Sequence, residues 1–256
     1  MIIFKLQAGL CNQLFQWAYG YALSKNNEVY FDVSFYKNQD HNYSVDAREY
    51  ELPKIIKGNI PISNQHILHF FSQKSAHIIT DDFNFKKPEI KADNNYYLNG
   101  YWQCEEYYNK YRDEILDLFY WPKAKDFDFE NSCSIHIRRG DYVGLQHIHP
   151  LQPISYYEKA LELIKPKGNI FVFSDDIDWC KENLNIPNVI FMEGNTNIED
   201  LHYMSLCSDN IIANSSFSWW GAWLNKNPNK IVICPKKWFG DNTNDSFIKC
   251  KDWIQI

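Results

Sequence analysis

A chain of 256 residues with 45% hydrophobic and 23% charged residues can bury one large core or two of ordinary size, which excludes wholesale disorder. Its formal net charge of -6 excludes nonspecific nucleic-acid binding, which depends on basic patches that displace counterions, so an anionic ligand needs a local basic site. Aromatic residues reach 17%, a composition that suits the stacking of sugars or bases, although most such rings belong to cores.

Ile2 to Leu6 reads as a buried strand, Ala8-Gly9-Leu10 as a turn, and Asn12 to Ser24 as a helix with Leu14, Trp17, Ala18, Tyr21 and Ala22 on one face. A strand over Glu28 to Asp32 completes a β-α-β opening. Asn12 and Gln13 stand at a helix N-terminus, where free N–H groups favour an anion. Gly9 alone does not make a dinucleotide fingerprint, and Asn12 as a plain N-cap is an equal reading. From Phe35 to about Asn95 the pattern weakens, and only a helix near Asn64 to Gln73 is expected there. Tyr96 to Gln103 is a strand-like aromatic run, followed by a helix from Glu105 to about Phe119 that Trp121-Pro122 ends. Lys123 to Asn131 is charged and aperiodic and reads as a linker, which sets the expected domains at 1–125 and 126–256.

Beyond Cys133 the chain alternates. Strands read at Cys133 to Ile137, Asn169 to Phe173, Val189 to Met192, Asn210 to Ala213 and Lys230 to Cys234. Helices read at Ile154 to Ile164, Ile177 to Leu184, Ile198 to Cys207 and Phe217 to Leu224. Short apolar runs separated by helices imply a parallel, doubly wound α/β sheet.

In such sheets ligands sit at the carboxyl ends of strands. The first end carries Arg138-Arg139-Gly140-Asp141, with His136 and Arg138 on the strand face opposite Ile135 and Ile137. Arginine suits a diphosphate because its planar fork donates two parallel hydrogen bonds and stays charged. A surface ion pair of Arg139 with Asp141 beside a buried histidine is the plainer alternative. The second end carries Ser174-Asp175-Asp176, and an ionised Asp175 could accept two parallel bonds from a guanine edge, or Asp175 or Asp176 could cap the next helix. The third carries Asn214-Ser215-Ser216-Phe217-Ser218, where the serines could hold phosphate oxygens or serve as N-caps. Asp176-Ile177-Asp178 as a metal-binding Asp-x-Asp and His147-Ile148-His149 as part of a metal site are weaker readings, so no metal is expected.

Seven cysteines form no Cys-x-x-Cys pair and fall largely in apolar runs, the pattern of buried free thiols in a reducing compartment. No signal peptide or membrane-spanning run is visible, so a cytoplasmic location is expected, and the glycosylation triplets at Asn42, Asn214 and Asn244 are coincidence.

Five blocks resemble, in order and spacing, glycosyltransferase family 11, the alpha-1,2-fucosyltransferases. They are Gly9 to Gln16, Gly100 to Gln103, His136 to Tyr142, Phe173 to Asp176 and Asn214 to Leu224, and they span nearly the whole chain. His-x-Arg-Arg-x-Asp is shared more widely among fucosyltransferases, whereas Ser215 to Trp223 is more particular to this family. Cys11 departs from the family, which commonly has Gly or Met there. The resemblance implies a GT-B-like fold of two Rossmann-like domains facing a cleft, an acceptor-side N-terminal domain and a C-terminal domain holding GDP-β-L-fucose. It implies inverting, metal-independent transfer of L-fucose to O2 of a terminal β-galactoside, with transfer in α1,3 or α1,6 linkage, or non-catalytic glycan binding, as alternatives. By the resemblance Arg138 holds the β-phosphate, Asn12 reaches the pyrophosphate, Asp175 reads guanine, and Arg139, Ser174, Asn214, Ser215, Ser216 and Phe217 line the donor site. Arg138, His136 and Asp141 are the expected catalytic residues. Trp102 offers a face for the acceptor sugar, Asp32 and Glu105 are acceptor-side guesses, and association with the inner face of the cytoplasmic membrane is left open.

Overall fold

The structure, a computed structural model, describes residues 1–37, 48–63, 66–73, 75–81, 85–241 and 243–256. Asn42 of the first glycosylation triplet and positions 64 and 65 of the expected helix lie outside them. The chain forms two units, Met1–Tyr120 and Trp121–Ile256. The division falls ahead of the expected boundary at 125/126. Trp121 stacks on His202 at 4.7 Å and the Lys125 N–H donates to the Tyr203 hydroxyl at 3.3 Å, which ties this stretch to the second unit.

The first unit contains β1 (Ile2–Lys5), α1 (Leu10–Ser24), β2 (Val29–Asp32), α2 (Ser34–Lys37), α3 (His66–Ser72), β3 (Ala76–Thr80), β4 (Asn95–Asn99) and α4 (Arg112–Asp117). Its four strands are parallel in the order β2-β1-β4-β3. Central β1 is apolar because both its edges are paired and its faces are covered. Helix α1 starts earlier than the sequence indicates, with Gly9 as N-cap, so Asn12 lies within the first turn and the N-cap reading of Asn12 is corrected. The helix expected from Glu105 breaks into two 3-10 turns, Glu105–Tyr107 and Asn109–Tyr111, ahead of α4. Tyr108, 1% exposed, takes a non-helical φ of -140° between them, so burial of its ring overrides the apolar period.

The second unit contains β5 (Cys133–Ile137), α5 (Ile154–Ile164), β6 (Ile170–Ser174), α6 (Ile177–Asn183), β7 (Val189–Phe191), α7 (Asn197–Leu206), β8 (Asp209–Ile211), α8 (Ser216–Leu224), β9 (Val232–Cys234) and β10 (Ile254–Gln255). All its strand pairs are parallel, in the order β10-β9-β8-β5-β6-β7. Succession runs outward from β5 to β7, then returns through α7 to β8 on the other side of β5. The crevice above the carboxyl ends of β5 and β8 is therefore the topological switch point, where open parallel sheets receive ligands. On one face Ile135 and Ile137 pack with Tyr157 and Ala160 of α5. Helix α8 is buried from Ser218 to Leu224, which explains its apolar character on every side.

Both units are parallel α/β sheets with flanking helices, the make-up of a GT-B-like chain. All seven cysteines are free and buried. Among the described residues no helix is long and apolar enough to cross a membrane.

Candidate active site

The strand β5 delivers Arg138 to the switch point. Its Nη2 donates to Asp141 Oδ1 at 2.7 Å and its Nη1 lies 3.0 Å from Asp175 Oδ2. The guanidinium also sits 5.4 Å from the Tyr142 ring centroid. Burial alone would lower the Arg138 pKa, but Asp175 and Asp141 outweigh it and raise it, so the side chain is a permanent cation. Asp141 pairs with Arg138 rather than with Arg139, contrary to the surface-pair reading. Arg139 diverges: its Nε donates to Asp176 Oδ2 at 2.9 Å and its guanidinium stacks 3.8 Å from the Trp179 centroid. That side chain braces the turn against α6.

The end of β6 is committed to the same turn. Asp175 Oδ1 accepts the Arg139 backbone N–H at 2.9 Å while Oδ2 faces Arg138, so both oxygens are engaged by the turn that follows β5. A Cβ on Gly140 would crowd Asp175 Oδ2, so glycine here lets that carboxylate keep its place against the turn. Ser174 Oγ accepts the Asp176 N–H at 3.0 Å and so closes a local turn. Asp176 caps α6. The Asp-x-Asp metal reading loses Asp176 to the cap and Arg139, and the Asp178 side chain is 92% exposed. His149 stacks on Tyr142 at 4.6 Å instead of pairing with His147 at a metal. Among the described residues no group of three His, Cys, Asp or Glu side chains could hold a metal ion.

Across the switch point, Asn214 knits three loops together. Its Nδ2 donates to Trp238 O at 2.9 Å, its Oδ1 accepts from Gln152 at 3.0 Å, and its carbonyl accepts the Tyr142 hydroxyl at 3.1 Å. With its amide spent and 2% exposed, Asn214 shapes the site and does not line it. Ser215 is the N-cap of α8, its Oγ accepting the Phe217 N–H. Ser216 and Phe217 are only half-buried and form the open N-terminal turn of that helix. His136, 4% exposed, packs 5.5 Å from the Phe217 ring, and its Nδ1 has no hydrogen-bond partner among the described residues. Burial, and then Arg138, lower its pKa to about 3, so at neutral pH it is an uncharged imidazole and too weak a base to take a proton.

Arg138, Asp141, Asp175 and the start of α8 are thus brought together. Tyr142 and Gln152 complete this set, and sequence reasoning assigns neither a role. Tyr142 was legible as part of the His136 to Tyr142 block, whereas Gln152 carried no signal.

Asn12 belongs to the other unit, where its Oδ1 accepts from Gln103 Nε2 at 2.8 Å. Gln16 Nε2 donates to Gly100 O at 3.0 Å, so the two N-terminal blocks are welded to each other. Asp32, 3% exposed, accepts from the Ser34 N–H and the Tyr97 hydroxyl, which removes it as an acceptor-side base. Glu105 opens the first 3-10 turn. Trp102, 2% exposed, packs against Phe4, Tyr19 and Tyr107, so most of its ring is covered by core aromatics. Its φ of +56° is held by Asp81 Oδ2, which accepts the Trp102 N–H at 2.9 Å. A cavity of about 410 Å³ lies beside the end of β3, with Asp81, Lys86, Lys87, Glu89, Trp102 and Tyr107 in its wall.

The family model for glycosyl transferase family 11 matches residues 1–256. The chain belongs to glycosyltransferase family 11. It is 33% identical to the Alpha-1,2-colitosyltransferase of Escherichia coli over 293 residues, covering 100% of this chain and 99% of the relative. It is likewise 33% identical to the O-antigen biosynthesis glycosyltransferase WbnK of Escherichia coli over 301 residues, covering 98% and 99%. Among solved structures, fucosyltransferase NodZ from Bradyrhizobium is similar with a TM-score of 0.49 and 12% identity, covering 86% of this chain and 92% of that one.

A family 11 glycosyltransferase joins a nucleotide-sugar donor to a glycan acceptor. The switch point offers what that chemistry needs on the leaving-group side: a fixed cation, a helix N-terminus and a neutral imidazole in a largely buried setting.

Proposed function

We propose that this family 11 enzyme is an inverting galactoside 2-alpha-L-fucosyltransferase that moves L-fucose from GDP-β-L-fucose to O2 of a terminal β-galactoside without a metal. The observation that supports it most is Arg138, held by two carboxylates at the end of β5, the strand that pairs with β8 ahead of α8. In this reading Arg138 and the Ser216 end of α8 receive the diphosphate. His136 donates or accepts a hydrogen bond as a neutral ring. The diphosphate competes with Asp141 for Arg138, and the freed Asp141 accepts the proton of the acceptor hydroxyl. The acceptor oxygen bonds to C1 of fucose as the C1–O bond breaks, the electron pair leaves on the β-phosphate oxygen, and attack opposite a β-linked leaving group makes the new bond α. The preference for guanine rests on the likeness of the His136 to Tyr142 and Asn214 to Leu224 blocks to alpha-1,2-fucosyltransferases. The α1,2 linkage draws added support from the 33% identical relative named for that linkage.

The same relative favours a second reading, in which the sugar transferred is colitose. Parallel assays with GDP-fucose and nucleotide-activated colitose on one galactoside acceptor decide between them. A kcat/KM at least tenfold higher with GDP-fucose supports the first reading, the reverse ratio selects the second, and turnover with neither donor removes both.

A further inference from the structure

We propose that Asp175 is a positioning residue for Arg138 and takes no part in reading the nucleobase. The inference rests on the reading of Arg138 as the cation that meets the diphosphate. It begins in the sheet register, where Ile137 of β5 pairs with Ser174 of β6. The next residue on each strand, Arg138 and Asp175, therefore leaves the sheet at neighbouring points. The chain then places Asp175 with unusual thoroughness for a residue at a strand end. Its Oδ1 accepts the Arg139 N–H at 2.9 Å, its Oδ2 lies 3.0 Å from Arg138 Nη1, and the missing Cβ of Gly140 leaves room for that second oxygen.

A long arginine side chain loses much rotamer freedom when it meets a ligand, and a cation already in place spares that loss at the moment of reaction. Asp175 and Asp141 both hold Arg138, but they are not equivalent. The Asp175 side chain is 25% exposed and also grips the backbone, whereas the Asp141 side chain is 45% exposed and, among the described residues, has its hydrogen bond and ion pair with Arg138 Nη2. An arriving anion displaces the more exposed partner. Arg138 then keeps Asp175 on Nη1 and offers Nη2 to the phosphate, so the carboxylate aims the fork throughout.

Asp175→Asn tests this with little disturbance, because Asn keeps an oxygen for the Arg139 N–H while its amide nitrogen opposes Arg138 Nη1, donor against donor. Wild type is first assayed with both donors, which settles the proposed function independently, and the variant is then compared on whichever donor is turned over. The expected result is a kcat lower by about 10- to 100-fold with donor KM within about threefold. The ranking of GDP, ADP and UDP as competitive inhibitors should stay unchanged, and in an Arg138→Ala background the substitution should lower kcat by no more than about twofold. Asp175→Ala, which also releases the Arg139 N–H, should show the larger fall in Tm. Unchanged kcat, loss of discrimination against ADP and UDP, or a full additional loss in the Arg138→Ala background would each overturn the proposal.

Discussion

Gln103 Nε2 donates to Asn12 Oδ1 at 2.8 Å, and this bond fixes which way round the Asn12 amide stands. With the oxygen engaged, the Nδ2 donor is the half left for an anion. Gln103→Glu replaces the donor with an acceptor, so Asn12 should turn over and present its oxygen. We expect donor KM to rise more in Gln103→Glu than in Gln103→Ala, by about tenfold against about threefold, since a repelling group costs more than an absent one. Equal effects in steady-state kinetics would separate Gln103 from donor binding.

In the proposed mechanism Arg138 supplies the charge that meets the diphosphate. Arg138→Ala should lower kcat by about a hundredfold or more while GDP affinity falls less, because a preorganised cation acts mainly in the transition state. Arg138→Lys should recover only part of the loss, since one ammonium cannot meet Asp175 and a phosphate with a planar fork. Single-turnover rates set beside calorimetric GDP affinities would check both, and wild-type kcat in Arg138→Ala would remove the assignment.

His136 has a pKa of about 3 in the folded protein against roughly 6.5 unfolded, so the unfolded chain binds more protons between those values. Its contribution to stability is complete above about pH 6.5 and is lost as pH falls towards 3. Denaturant unfolding of wild type and His136→Gln at several pH values should show the wild-type advantage shrinking by about 1.4 kcal/mol per unit between pH 6 and 4. A pH-independent difference would mean that the ring titrates normally.

In the proposed reaction the positive charge comes from Arg138, so that reading requires no divalent ion. Turnover should stay within about twofold in EDTA, and Asp178→Ala should be equally silent because that side chain is 92% exposed. Loss of activity in chelator, restored by Mn2+ or Mg2+, would require a metal in the reaction.

Much of the C-terminal unit is legible in sequence because β5 and β6 are apolar runs flanked by helices, and their ends carry residues that no core requires. The partners of those residues are not legible. Asp175 meets Arg139 only through the register of two strands, and no local pattern shows that its carboxylate bonds that backbone. Asn214 is similar, since Trp238 and Gln152 reach it from distant loops. In the N-terminal unit β3 escapes notice because it is a short edge strand with His77 and Ile78 exposed, which leaves no alternation to read. The expected helix from Glu105 to Phe119 shows the opposite error, in which a helical spacing of aromatic residues is met by 3-10 turns that bury Tyr107 and Tyr108.

The most direct measurement is the structure of the product. Enzyme, GDP-β-L-fucose and N-acetyllactosamine are incubated together, and linkage and anomeric configuration are read by NMR. The account predicts a fucosyl residue joined α to O2 of galactose, formed in the presence of EDTA. A β-linked product, an α1,3 or α1,6 bond, or release of free fucose with no transfer to glycan would contradict it.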